Sequence, residues 1–200
     1  MATGWEIINE GGNSVPQDTT KAFKITAPPN TDVWRPNPSK DTFTAPFAYT
    51  TIRTSQFKRV SVTVSASWKT QYDQGGLMIV FPQESQPSKW MKTGIEYFNG
   101  KPSLSVVGCD RFSDWSLSPM PSGGNKATFE AVRDGETLWI YSVNGDDRWP
   151  LREIKWAFIE DRVSDAEMWI GVCAAKPTSD KDDAQAGVEV TFQDLQIDLV

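Results

Sequence analysis

The sequence predicts an all-β protein, a two-sheet antiparallel β-sandwich, and three observations carry that prediction. Short runs rich in Val, Ile, Thr, Phe and Trp alternate with clusters of Gly, Pro, Asn, Asp and Ser, the pattern of strands joined by turns. Helical periodicity over long stretches is scarce. The 200 residues include nine Trp and ten Phe, enough apolar mass for a core without disulfides or metals. A chain of this length leaves little room for a second domain, so residues 1–200 read as one.

The elements follow in chain order. The Pro-rich piece Ala27 to Pro46 reads as an irregular loop packed on the sandwich. Val60 to Trp68 alternates, with Val60, Val62 and Val64 facing one way and Ser and Thr the other; Leu77, Ile79 and Phe81 continue the theme. Adjacent Gly75 and Gly76 allow a close backbone approach or a β-bulge, the bulge being the plainer reading. Trp90 to Phe98 is a strand closed by an Asn99-Gly100 turn. Thr128 to Arg133 meets Glu136 to Val143 across Asp134-Gly135, expected as a type I′ turn. Both parities of Leu138 to Val143 are apolar, as for a strand covered on both faces. Met168 to Ala174 and Val188 to Val200 close the list. In the last run the apolar parity changes near Gln193-Asp194, which predicts a β-bulge. Lys176 to Ala186 reads as an exposed polar loop. Ten to fourteen strands in two sheets are expected.

Composition removes several function classes. The net charge of −6 argues against a nucleic-acid partner, which calls for a clustered basic face. No apolar run approaches the ~20 residues of a membrane helix. The first dozen residues lack the basic and apolar regions of a secretory signal, so a cytoplasmic address is expected. Histidine is absent, which eliminates Ser-His-Asp and Cys-His nucleophiles and His-ligated metals. Cys109 and Cys173 read as small buried hydrophobes. Asp180, Asp182 and Asp183 lack the spacing of a calcium loop and read as a solvated acidic loop. Gly11-Gly12 and Gly123-Gly124 lack the lysine of a phosphate loop. No cofactor or metal is expected.

The segment Gln71 to Ser116 carries the candidate site. Its strand-like runs hold Tyr72, Gln74, Lys92 and Glu96 where a purely structural sheet would hold Thr or Val. Polar groups beside aromatic surface are what a small-molecule site requires. Trp34 and Trp115 lie beside loop-forming residues and suit a ligand platform; Trp68, Trp139 and Trp169 sit in apolar runs and suit the core. Lys92 and Glu96 share a strand parity opposite to Ile95, so both leave the core if Ile95 enters it. Asp114 is a possible second carboxylate.

The blocks WRPNP (Trp34 to Pro38), YDQGGLMI (Tyr72 to Ile79), WMKTGIEY (Trp90 to Tyr97) and FSDWS (Phe112 to Ser116) resemble, in order, those of the DUF1349 family. REIKWAFI (Arg152 to Ile159) and WIGVCAAKPT (Trp169 to Thr178) extend the resemblance. VCAAKP departs from it, standing where many relatives have an aromatic residue and Ser-Pro. The resemblance implies a jelly roll of the concanavalin A-like lectin/glucanase superfamily with one concave face. It implies a function only loosely, since that superfamily hosts lectins, hydrolases, lyases and non-enzymatic modules.

Three functional expectations follow. The first is a binding module for a saccharide or sugar-derived metabolite. In it Trp34, Tyr72 and Trp115 stack, while Arg35, Gln74, Lys92 and Glu96 fix hydroxyl or acidic groups. The second is a glycoside hydrolase using Glu96 and a carboxylate such as Asp114 at the spacing such chemistry demands. The third, taken from a label the family carries, is a regulatory partner of a metabolic, glycolytic enzyme, with Arg148-Trp149-Pro150 as an interface anchor.

Overall fold

The computed structural model describes residues 4–84, 87–121, 123–159 and 165–200. Their strands form two antiparallel sheets packed face to face. They are β1 (Glu6–Ile8), β2 (Phe23–Ala27), β3 (Val33–Asn37), β4 (Lys40–Phe43), β5 (Phe47–Arg53), β6 (Phe57–Ala66), β7 (Gln74–Phe81) and β8 (Lys89–Phe98), then β9 (Lys101–Cys109), β10 (Ser113–Pro119), β11 (Lys126–Asp134), β12 (Thr137–Asn144), β13 (Asp147–Ile154), β14 (Glu167–Ala175) and β15 (Val188–Leu199). One sheet runs β1-β5-β14-β7-β8-β9-β10, the other β13-β12-β11-β6-β15-β2, and β3-β4 is a separate ribbon. Thirteen strands thus stand in two sheets, and the ribbon replaces the irregular loop expected between Ala27 and Pro46.

Strand alternation sorts the apolar residues into the core. Val60, Val62 and Val64 of β6, Phe129 and Ala131 of β11, and Leu138 and Ile140 of β12 meet Leu77, Ile79, Met91, Ile95 and Val172 of the facing sheet. At β15 the register steps from Gln193↔Thr63 to Gln196↔Ser61, with Asp194 at φ 54°. One extra residue is absorbed there, so Phe192 and Leu195 both face inward as the expected bulge requires.

Some sequence expectations are corrected. The β11–β12 loop has positive φ at Gly135 only, whereas type I′ needs it at both central residues. The outer parity of β12 is half-exposed, not covered: Trp139 and Tyr141 stack on each other there. Trp68 is buried in the core, but Trp169 is half-exposed and stacks on Tyr49 on the sheet's other face. The loop after β14 is not simply exposed, since Lys176 and Asp180 are buried.

The far face of the seven-stranded sheet has its own smaller core. Val33, Phe43 and Ala45 lie over Met78, Val80, Trp90, Val107 and Cys109, so the ribbon covers one end of this face. Arg35 anchors it. Its guanidinium donates to Asp41 (2.8 Å) and to the Ser88 carbonyl (2.9 Å), and Nη1 approaches the Cys109 sulfur at 3.4 Å. What the ribbon leaves open becomes the site.

Candidate functional site

The uncovered end of this face is a cleft of about 360 Å³. Its floor is the β7–β8 pair. Lys92 and Glu96 leave β8 on the face opposite Ile95, as their parity requires, and Gln74 stands across from Glu96 on β7. Between them the floor drops to Gly76 facing Gly94 in unbroken register, so of the two readings the glycines mark the close approach and not the bulge. A Cβ at Gly76 would lie 1.9 Å from the Thr93 carbonyl oxygen, and one at Gly94 2.0 Å from that of Gly75. No side chain fits at either position.

The walls are aromatic. Trp34 comes from the ribbon, Tyr72 from the loop before β7, and Trp115 from β10. The Tyr72 and Trp115 rings meet edge to face with centroids 6.4 Å apart. Phe98 backs them at 6.0 Å from Tyr72 and 5.2 Å from Trp115. Asp32, Val107, Pro177 and Thr178 complete the lining.

Tyr72 has φ 70°, a left-handed conformation costing a bulky residue on the order of 1–3 kcal/mol. Its surroundings hold it there. The Tyr72 N–H donates to the Tyr97 carbonyl (2.7 Å), and the Tyr97 N–H returns a bond to Asp73 O (2.8 Å). The buried Asp73 carboxylate accepts from Thr70 N (3.0 Å) and from Lys176 Nζ (3.0 Å). Lys176, also fully buried, donates to Asp180 as well (2.6 Å). Thr70 and Lys69 complete the cluster on Asp180. This buried ion cluster joins the loop carrying Tyr72 to the loop carrying Pro177 and Thr178. With Lys176, Lys69 and Thr70 all donating to it, the Asp180 carboxyl titrates far below the usual carboxylate range.

The polar groups on the floor are differently satisfied. Lys92 Nζ donates to Gln74 Oε1 (2.7 Å) and pairs with Asp32 (3.3 Å). Glu96 is 5% exposed. Its Oε2 accepts from Ser105 Oγ (2.7 Å) and Trp115 Nε1 (3.1 Å). Burial raises the Glu96 pKa, while Lys92 and the two hydrogen bonds pull in the opposite direction. Cys173 lies beside the glycine floor with its thiol pushed up to about 11 by burial, which makes it inert at neutral pH. Cys109 and Cys173 stand on strands separated by β7 and β8, roughly 14 Å at ordinary strand spacing and beyond disulfide reach.

Six residues singled out from the sequence converge here: Trp34, Tyr72, Gln74, Lys92, Glu96 and Trp115. Arg35 does not; it lies next to Trp34 on β3, so alternation turns it away, and it serves the ribbon. Asp114 does not either. It occupies the opposite parity to Trp115, its side chain is 82% exposed, and it pairs with Arg152. Asp32 went unseen in the sequence, and Pro177 and Thr178 were noted only within a block of the resemblance, because all three lie in loops, where periodicity carries no information. Among the described residues no cluster of three or more Cys, Asp or Glu side chains could hold a metal ion. No helix among them is long and apolar enough to cross a membrane.

Two sheets with one face open to a polar and aromatic cleft define a concanavalin A-like β-sandwich. The chain belongs to the DUF1349 family of proteins of unknown function, whose model matches residues 8–199. An uncharacterised protein of Emericella nidulans is 47% identical over 188 residues, covering 92% of this chain and 91% of that one. The protein named Regulation of enolase protein 1 of Saccharomyces cerevisiae is 30% identical over 102 residues, 50% of this chain and 48% of that one. Among solved structures, a functionally unknown protein from Saccharomyces cerevisiae superposes with a TM-score of 0.77 at 22% identity, covering 98% of this chain and 96% of that one. A xylan β-1,4-xylosidase from Bacillus halodurans gives 0.59 at 10% identity, covering 86% of this chain but 32% of that one. These likenesses establish the fold.

Proposed function

We propose that this protein binds a saccharide or sugar-derived metabolite in the cleft. One observation carries the reading: three aromatic side chains from three separate elements converge over a floor of Lys92, Gln74 and Glu96. Sugars present apolar C–H faces beside many hydroxyls, so a site for them needs ring surface together with fixed donors and acceptors. The cleft volume lies within the range of small-molecule pockets. The test is thermal unfolding against a panel of mono- and oligosaccharides, repeated with Trp115→Ala. A ligand at 100 times its Kd adds about 2.7 kcal/mol of stability, and Trp115→Ala should abolish that gain. Silence across the panel, or full binding by the variant, would overturn the reading.

Hydrolysis by Glu96 with Asp114 requires the two carboxyls to flank one glycosidic bond inside the same cleft, and Asp114 faces away from it. A different second carboxylate would have to be Asp32, which Lys92 already engages. The reading as a regulatory partner of a metabolic enzyme has a separate support in the name of the yeast relative and in Trp149, which is 70% exposed.

A further inference from the structure

Four carboxylates are buried among the described residues: Asp73, Glu96, Glu130 and Asp180. Three of them show how this protein satisfies such a group. Glu130 lies between Arg59 and Arg148. Asp73 is paired with Lys176, and Asp180 with Lys176 and Lys69. Glu96 is as deeply buried as Glu130 but receives only two neutral donors, Ser105 and Trp115, both on Oε2. Buried charges are ordinarily paired. Lys92, the cation in the cleft, acts on Glu96 from a distance but forms no ion pair with it, since its ammonium is engaged by Asp32 and Gln74. The charged lining is therefore two carboxylates and one ammonium, one positive charge short of balance.

The walls favour the same sign. The faces of Trp34 and Tyr72 are negative and attract cations, whereas Trp115 turns its N–H edge to Glu96. An acidic ligand would meet only Lys92, already engaged by Asp32 and Gln74, and no guanidinium to recognise it bidentately, because Arg35 is spent on Asp41 outside the cleft. We infer that the cleft is specific for an amino-bearing saccharide, whose protonated amine is received by Glu96 Oε1 between the aromatic walls. This rests on the saccharide reading above and narrows it: uronates and sugar phosphates are excluded, and neutral sugars are the weaker ligands. Glu96 becomes the specificity-determining residue.

The test compares glucosamine and galactosamine with glucose, galactose, N-acetylglucosamine, glucuronate and glucose 6-phosphate. Binding is followed on the tryptophan indole N–H resonances of 15N-labelled protein, where the Trp115 Nε1–H reports directly on Glu96. A charge-assisted hydrogen bond predicts that each amino sugar binds about tenfold or more tighter than its neutral parent and its N-acetyl form. Glu96→Gln should erase that preference, so that each amino sugar and its neutral parent bind alike. Equal or tighter binding of the neutral, acetylated or acidic sugars by the wild-type protein would overturn the inference and leave the saccharide reading standing. Silence from every sugar would overturn both. The wild-type comparison does not depend on how the variant folds.

Discussion

Glu96→Gln should make the unliganded protein more stable, and the gain should depend on pH in a way the structure dictates. Glutamine keeps the shape and an oxygen for the Ser105 and Trp115 donors, so the substitution removes chiefly the buried charge. Burial raises the Glu96 pKa above its ordinary value. The folded protein then holds a proton that the unfolded chain has released. Its contribution is fully present below the unfolded pKa and is lost as pH rises through the folded one. Across that interval the wild type should lose up to about 1.4 kcal/mol per pH unit relative to the variant, with parallel curves on either side. For a chain of this size each kcal/mol corresponds to roughly 2–4 °C in Tm. The assay is thermal and urea unfolding of both proteins from about pH 4 to about pH 8. A difference that stays flat, or that favours the wild type as pH rises, would refute the claim that Glu96 is an uncompensated buried carboxylate.

Three other substitutions separate scaffold from site. Lys176→Met leaves Asp73 and Asp180 without their buried partner, which costs about 3–5 kcal/mol; a Tm lower by on the order of 10 °C, with loss of ligand binding in whatever remains folded, is the expected result. Gly76→Ala drives a Cβ into the Thr93 carbonyl and should destabilise by about 1–3 kcal/mol or more, measured by urea unfolding. Trp149→Ala, at an exposed position, should change stability by no more than about 0.5 kcal/mol and leave sugar binding intact; if the regulatory reading holds instead, co-purification of an enzyme partner is what this variant loses.

The fold was legible because alternation is a local signal. Val60, Val62 and Val64 declare the core face of β6 without help from other strands, and the parity change in β15 announces its bulge. The floor of the site was legible for the same reason: once Ile95 is taken as core, Lys92 and Glu96 must stand on the other side. The walls were only partly legible. Trp34 and Trp115 show themselves by residue type beside loops, whereas Asp32 and Thr178 reach the cleft through tertiary placement of irregular chain. Arg35 was misplaced because the reading of Ala27 to Pro46 as a loop assigned it no strand parity; on a ribbon, adjacent residues face opposite ways. The acidic loop was misread because Asp180 owes its burial to Lys176 and Asp73, and Asp73 lies more than a hundred residues away in sequence.

Each wall of the cleft is anchored by a device of its own. Arg35 fixes the ribbon that carries Trp34, Asp73 caps the loop that carries Tyr72, and Lys176 ties that loop to the one carrying Thr178. The floor is an uninterrupted ladder with glycines where no side chain fits. The ordering of these groups is therefore met during folding, and a ligand has little left to immobilise. The ribbon also covers one end of this sheet face and leaves a short cleft beside it. On the proposed function, such a cleft suits a small molecule or the end of a chain. Within it, the Glu96 carboxylate is the buried acidic group that folding leaves without a direct ion pair. Affinity and specificity should therefore concentrate on this one carboxylate.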